Sequence, residues 1–554
     1  MAGGTPAVAG GEKRMRTMKA RIAGVVALMA VVGSAVAAQQ DGPPFITFQN
    51  LRDGLKDPTR WLTYGGDYGS QRHSPLTQIT PQNVNRLQAE WSFQTETLGK
   101  FEATPIVVDG VIYITGPEDI GWAIDARTGR QIWRYKRDSP NGIIACCGRV
   151  NRGFAMLGDR LFKATLDAHV LAISAKSGTI LWDVEMENYR NGYSGTPAPL
   201  AFKDRIVVGM AGAEYGVRGF LDAYDAQTGK RLWRFFTTAG PGDPGHRTWA
   251  GSDAKAWERG GGSTWTTGSY DPDLNLIYWG TGNAGPDYNG TAREGDNLYT
   301  ASLVAIDGDT GKMRWHYQFT PHDVWDYDST QVPVLGELTI RGRLRKVVMF
   351  ANRNGFFYVL DRATGELLSG KTYVNTTWAK ELRDGRPMVL ANQIPTEQGT
   401  RICPDPTGGT NWMSPAFNPA LSMFFVTSRE ACATFYSWAD EYQPGEGYRG
   451  GAAQRIGEPQ QSALRAIDAV TGEVKWKFPY ATQSWSGVLS TASGLVFAGS
   501  SGNLMAFDAS NGKSLWHYQT GSSVYAAPTT YMVDGRQYVL IPSGTTLTAF
   551  ALPQ

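Results

Sequence analysis

Three aspartates fall within six residues in the stretch Thr320-Pro-His-Asp-Val-Trp-Asp-Tyr-Asp328: Asp323, Asp326 and Asp328, beside His322 and among the aromatics Trp325 and Tyr327. In an extended segment side chains alternate with period two, so Asp326 and Asp328 would point to one side. Carboxylates that close repel each other unless a cation or a shared proton lies between them. The stretch therefore reads as a candidate metal site carrying a catalytic base, with a solvated acidic loop as the plain alternative.

Cys146 and Cys147 are the second unusual feature. Adjacent α-carbons across a trans peptide are ~3.8 Å apart, short of the ~4.4 Å lower end for ordinary disulfides. A bond between them closes a strained eight-membered ring, and such strain concentrates at functional sites. Two separate thiols are the alternative.

The elements that must position these residues are announced by a repeat, Ala-x-Asp-x-x-Thr-Gly-x-x-x-Trp. It occupies residues 123–133, 223–233, 305–315 and 466–476. Weaker copies occupy 172–182 and 506–516, and 359–369 keeps Asp361, Thr364 and Gly365 but ends in Ser369. Trp91 ends an N-terminal fragment of the unit, and residues 546–550 resemble its missing first half. Asp starts a turn by bonding its own backbone, and Gly supplies the positive φ that closes it. A second hairpin precedes most copies, as in Val107-Val-Asp-Gly-Val-Ile-Tyr-Ile114. About four short strands per unit is the content of a propeller blade. The expected fold is an all-β, eight-bladed β-propeller with docking Trp residues, its ring closed by strands from both chain ends. The long insertions between Trp233 and Trp315 and between Ser369 and Trp476 are of the length that more often carries function than not.

The composition agrees. Sixty-six glycines and 12% aromatics with only 19% charge suit a turn-rich β protein and exclude a disordered chain. Arg14, Arg16, Lys19 and Arg21 precede an apolar run over residues 22–32 and the small-x-small site Ala35-Val36-Ala37, the form of a secretory signal. The run is shorter than the ~20 residues of a membrane span. We expect a cleaved signal over 1–38, a lead-in over 39–60, one propeller domain over 61–554, and a periplasmic location. Removing the signal's net +4 from the chain's +2 leaves about −2, with no basic excess to suggest nucleic acid. Four cysteines in an exported chain read as two disulfides. No Cys-x-x-Cys-His occurs, so covalent c-type haem is excluded.

From about Trp61 onward the chain resembles the pyrroloquinoline quinone (PQQ) dependent alcohol dehydrogenases of the methanol/ethanol type. The resemblance is carried by Phe-Glu102-Ala-Thr-Pro, Cys146-Cys-Gly-Arg-Val-Asn-Arg152-Gly, Tyr-Ser-Gly-Thr196-Pro-Ala-Pro, Ala211-Gly-Ala-Glu214-Tyr-Gly-Val-Arg-Gly, Gly260-Gly-Gly-Ser-Thr-Trp265, Gly280-Thr-Gly-Asn283 and Asn-Arg353-Asn-Gly. It implies that Glu102, Arg152, Thr196, Asn411, Trp412 and Trp485 contact PQQ, with Arg152 on a cofactor carboxylate and backbone room at Gly212 and Ala213. The Cys146–Cys147 ring would cover one face of the quinone and Trp265 the other. Ala211 departs from members with Ser there, which removes one hydroxyl contact. The metal ligands implied are Glu214, Asn283, Asp326 and the extra acid Asp328 found in lanthanide-using members. All are oxygen donors, which select a hard cation, Ca2+ or a lanthanide. Asp326 would be the catalytic base and Arg353 the cation beside the quinone carbonyls. Cys403 and Cys432 would staple the long insertion. The implied activity is oxidation of an alcohol, a small primary one, with a separate cytochrome c as electron acceptor; a homodimer stays open. The alternatives are a PQQ enzyme for polyols, aldehydes or polymeric alcohols, and a non-enzymatic propeller scaffold.

Overall fold

The computed structural model describes residues 45–455 and 457–554. The signal-sequence reading lies outside the described residues. Of the expected lead-in, the short helix Phe48–Asp53 is described, capped at its start by Thr47, and Ile46 pairs with Gly158.

Each repeat folds as the sequence suggests. In the copy at 123–133, Asp125 Oδ1 accepts the N–H groups of Arg127 and Thr128 and the Thr128 hydroxyl. Gly129 takes φ 72° and donates its N–H to the Asp125 carbonyl. That turn joins the strands Ile120–Asp125 and Gln131–Lys136, which pair with Val111–Thr115 and Ile106–Val108 into one antiparallel sheet.

Among the described residues eight antiparallel sheets contain such a four-strand series. In six the four strands are consecutive along the chain, and in one of these His73–Ser74 adds a parallel edge to Val488–Thr491; in a seventh, the strands Ala433–Ser437 and Gly451–Arg455 of the insertion intervene between Met423–Glu430 and Gln461–Asp468. The eighth joins Thr529–Val533, Arg536–Ser543 and Thr546–Ala551 from the C-terminal end to Gln88–Gln94 from near the start. Burial grades across each sheet. Ile106–Val108 is wholly buried, whereas Gln131–Lys136 alternates between exposed and buried positions. The arrangement is an all-β propeller.

The Trp residues couple consecutive sheets. Trp91 donates its indole N–H to Ala126 O, Trp133 to Ala175 O, Trp182 to Ala226 O, Trp476 to Ala509 O and Trp516 to Leu87 O, at 3.0–3.3 Å. Each of the first four indoles also lies against the repeat glycine of the next sheet. A Cβ on Gly129, Gly178, Gly229 or Gly512 would come within 2.5–2.9 Å of that ring. The repeat glycine thus meets two demands, a left-handed backbone and a surface flat enough for an indole. Where Trp gives way to Ser369, Gly472 faces Lys371 instead.

The long insertion between Ser369 and Trp476 contributes a two-stranded sheet, Ala379–Arg383 with Arg386–Val389. It also contributes a three-stranded one, Thr400–Ile402, Ala433–Ser437 and Gly451–Arg455. The Cys403–Cys432 bond is formed, tying Thr400–Ile402 to the edge of Ala433–Ser437.

Candidate active site

The expected site residues share one topological address. Glu102, Arg152, Thr196, Trp265, Trp412 and Trp485 lie just before the first strand of a sheet. Gly212, Ala213, Glu214, Asn283 and Arg353 lie just after a second strand. In an antiparallel sheet those positions fall at the same end, opposite the Asp-Thr-Gly turns. They surround a cavity of about 340 Å³ whose wall includes Glu102, Cys146, Cys147, Arg152, Thr196, Gly212, Glu214, Trp265, Asp328, Arg353, Asn411, Trp412 and Trp485. Lys100, Val150, Ala211, Thr407 and Tyr525 complete it. Ala213, Asn283 and Asp326 stand behind the wall, bonded into it.

The Cys146–Cys147 disulfide is present, with Cys147 exposed and its carbonyl accepting from Lys100 Nζ at 2.8 Å. Trp265 is fixed on several sides. Its ring carries the Arg152 guanidinium 4.7 Å from the centroid, and its indole N–H donates to Asp328 Oδ2 at 2.9 Å. Its carbonyl accepts from Arg152 Nη1 and from the Thr196 hydroxyl. Trp412 and Trp485 stack with centroids 4.7 Å apart and planes 1° from parallel, and Arg429 backs Trp485.

Arg152 and Glu102 were each expected to face the cofactor. Both line the cavity, and they also bond each other, Nη2 to Oε2 at 2.7 Å, both nearly fully buried. Burial drives the pairing, since an isolated buried guanidinium or carboxylate is far costlier than the pair.

The acidic stretch departs from the extended reading. Asp326 adopts φ 59°, and no strand forms between Gln318 and Val334. What brings Asp326 and Asp328 together is Arg353. Its Nη1 donates to Asp326 Oδ1 at 3.0 Å, to Asp328 Oδ2 at 2.9 Å and to the Asp326 carbonyl at 2.8 Å. The cation between the carboxylates is a guanidinium. Asp323 is no ligand: its carboxylate accepts the backbone N–H groups of Trp325 and Tyr327 and shapes the loop. His322 bonds the Gly295 carbonyl, away from the cavity wall.

Asp328 is a hub. Oδ1 accepts the Asn283 N–H at 2.9 Å while Oδ2 serves Trp265 and Arg353. Burial pushes the Asp326 carboxyl well above the usual carboxylate range; Arg353 opposes the shift, and Asp287, Asp328 and Glu214 add to it. Burial, then repulsion from Asp328, raises Glu214 as well. Carboxylates so placed call for a cation.

Three participants were missed in the sequence. Asp287, raised to about 8 by burial and by Glu214, accepts the Asn283 side-chain N–H at 2.8 Å. Tyr288 donates its hydroxyl to Asp326 Oδ2 at 3.3 Å. Arg449, in the long insertion, acts electrostatically on Asp287, Glu214 and Asp326. Asp287 carried a signal, an acid four residues after an expected ligand; Arg449 carried none.

Among the described residues the one trio of metal-ligating side chains mutually within 4.8 Å is Cys146, Cys147 and Glu214, and its sulfurs are already bonded to each other. Glu214, Asp326 and Asp328 are not drawn into one shell. The donor set nevertheless suits a hard ion, because Glu214 and Asp287 have no ion-pair partner within 4.0 Å among the described residues. The Asn283 side-chain oxygen likewise accepts no hydrogen bond. The wall suits a flat, polar, anionic ligand too. Arg152 Nε, Arg353 Nε, Trp412 Nε1 and Asn411 Oδ1 are buried without hydrogen-bond partners among the described residues, a state that native proteins rarely leave uncompensated.

Comparison with known proteins gives the same direction. Residues 61–373 and 477–539 match the family model described as "PQQ: Glucose/ethanol/alcohol dehydrogenase, beta-propeller domain". The chain is 40% identical to quinohemoprotein alcohol dehydrogenase ADH-IIG of Pseudomonas putida, covering 94% of this chain and 77% of that one. The solved structure of ADHIIG from Pseudomonas putida HK5 superposes with a TM-score of 0.88 at 37% identity, covering 92% of this chain and 82% of that one. A lanthanide-dependent methanol dehydrogenase of Methylacidiphilum fumariolicum is 35% identical, covering 88% of this chain and 85% of the relative.

Proposed function

The chain belongs to the PQQ-dependent alcohol dehydrogenases, with PQQ and one Ca2+ or lanthanide ion as cofactors, and from that premise we propose that it oxidises a small primary alcohol to the aldehyde. The observation that carries this reading is the cavity at which Trp265, the Cys146–Cys147 ring, Arg and Trp N–H groups without partners among the described residues, and the carboxylates converge.

When bound, PQQ would supply the hydride acceptor and the hard cation a Lewis acid. The chain supplies the rest. Trp265 and the disulfide would flank the quinone, and Glu102, Arg152, Thr196, Asn411, Trp412 and Trp485 would hold its rim. Glu214, the Asn283 side-chain oxygen, Asp326 and Asp328 would hold the metal. Asp326 takes the hydroxyl proton of the alcohol, its carboxylate kept ionised by the metal and by Arg353. Arg353 and Tyr288 fix the two oxygens of that carboxylate, and Arg353 also stabilises negative charge developing near it.

We read the eight four-stranded sheets as eight blades, with Gln88–Gln94 closing the ring; the Trp516-to-Leu87 and Trp91-to-Ala126 bonds that continue the docking series across that junction support this. We place the enzyme in the periplasm, on the signal-like sequence of residues 1–38. We assign a separate cytochrome c as its electron acceptor.

Reconstitution with PQQ and either calcium or lanthanum, followed by a screen of primary alcohols with a dye acceptor, tests the assignment. Turnover requiring both PQQ and metal is expected. A protein that binds neither defeats it, and activity confined to polyols or aldehydes moves the substrate class.

A further inference from the structure

Asp287 has no evident structural purpose. It is 2% exposed, and its one hydrogen bond among the described residues is the one it accepts from Asn283 Nδ2 at 2.8 Å. A buried carboxylate with neither a cation at contact distance nor a second donor is a costly thing to keep. Its effect on Asn283 is specific. Asn283 Nδ2 is held between Asp287 Oδ1 and the Ala284 carbonyl at 3.2 Å, and both of these are acceptors. The opposite orientation of the amide would set its oxygen against a carboxylate and a carbonyl. The contact therefore fixes which end of the amide faces away from Asp287, and it is the oxygen. The Asn283 N–H, bonded to Asp328 Oδ1 at 2.9 Å, pins the backbone of the same residue from the other side. Tyr288, the next residue, braces Asp326. The insertion holds this segment in place: the Tyr288 N–H donates to the Arg449 carbonyl at 2.8 Å, and the Tyr448 N–H to the Glu214 carbonyl at 2.7 Å.

We infer that Asp287 is a positioning residue of the metal site, holding the Asn283 amide with its oxygen toward the cation. The inference rests on the metal site proposed above. It assigns Asp287 the part of acceptor, not of ligand and not of bare charge, so an uncharged acceptor of the same shape serves equally. Loss of the acceptor frees the amide to turn and present its NH2 group, which a cation repels. Removing a group that orients a metal ligand typically costs 10–100-fold in affinity.

The test uses metal-free full-length protein and Tb3+. The Trp265 indole is bonded to Asp328, so Tb3+ held there lies close enough to be sensitised by it. Affinity is read from indole-excited Tb3+ emission in wild type, Asp287→Asn and Asp287→Ala, with Glu214→Gln as the control for a lost ligand. Asp287→Asn is expected to stay within about threefold of wild type, and Asp287→Ala to weaken at least about tenfold. Equal weakening in both variants overturns the positioning role in favour of charge or direct ligation. An unweakened Asp287→Ala overturns it outright. If wild type shows no sensitised emission while calcium-dependent turnover persists, this role fails and the enzyme assignment stands. If wild type shows neither, the metal site itself is refuted.

Discussion

Replacing Asp326 by Asn isolates the proton-transfer step with little else disturbed. The surroundings fix how the new side chain must sit. Arg353 Nη1, 3.0 Å from Oδ1, only donates, so the amide oxygen takes that position. The NH2 group then falls beside the Tyr288 hydroxyl, 3.3 Å from Oδ2, which changes from donor to acceptor. Only the Tyr288 hydroxyl proton loses its acceptor, and an oxygen remains for the metal. What disappears is a group able to take a proton. General-base catalysis contributes roughly 10²–10⁴ in rate, or about 3–5 kcal/mol of barrier. The expected outcome is a kcat lower by that factor with PQQ still bound at wild-type affinity within about threefold. Dye-linked turnover measures the first and quenching of tryptophan emission by PQQ the second. A kcat within tenfold of wild type at full PQQ occupancy refutes Asp326 as the base; loss of PQQ refutes the geometry assigned to it.

Asp328→Ala should abolish lanthanide-supported turnover and alter the emission of Trp265, whose indole N–H loses its acceptor; full activation by lanthanum would remove Asp328 from the metal site. Mild reduction without denaturant should free two thiols that map to Cys146 and Cys147, since Cys147 is exposed while Cys403 is fully buried; release of Cys403 and Cys432 first would contradict this. Burial raises the Asp323 carboxyl to about 7. A raised folded-state value means a stabilising contribution present below pH ~4 and lost as pH climbs through about 7, worth up to about 4 kcal/mol. Metal-free protein should therefore show a denaturation midpoint that falls between about pH 4 and 7, and fall less in Asp323→Asn. A midpoint that rises over that interval, or an equal fall in the variant, would show that Asp323 is not buried as described.

The fold was legible because the repeat is local physics. Asp125 and Gly129 close their turn with contacts spanning four residues, and the same letters recur along the chain. The second role of the repeat glycine, as a seat for the preceding unit's indole, needs a neighbouring sheet and was not visible. The site residues were legible as spaced motifs, and the structure gathers them at one cavity. Their mutual bonds were not. The pairing of Arg152 with Glu102 joins residues 50 apart in the chain, and the bridging of Asp326 and Asp328 by Arg353 spans about half that. Period-two alternation failed at Asp326 because a left-handed backbone there, with Asp323 closing the loop, replaces a strand. Arg449 reaches the site from an insertion whose path no local pattern fixes.

The central claim is that one flat anionic quinone occupies the cavity bounded by Trp265, Trp412, Trp485 and Arg152. Titration of PQQ into the metal-loaded protein, followed by tryptophan emission, tests it directly. The account predicts saturable quenching at one PQQ per chain, weakened at least about tenfold by Arg152→Ala because a desolvated charge-assisted bond is lost. Quenching that never saturates, or that is the same in Arg152→Ala as in wild type, would contradict it.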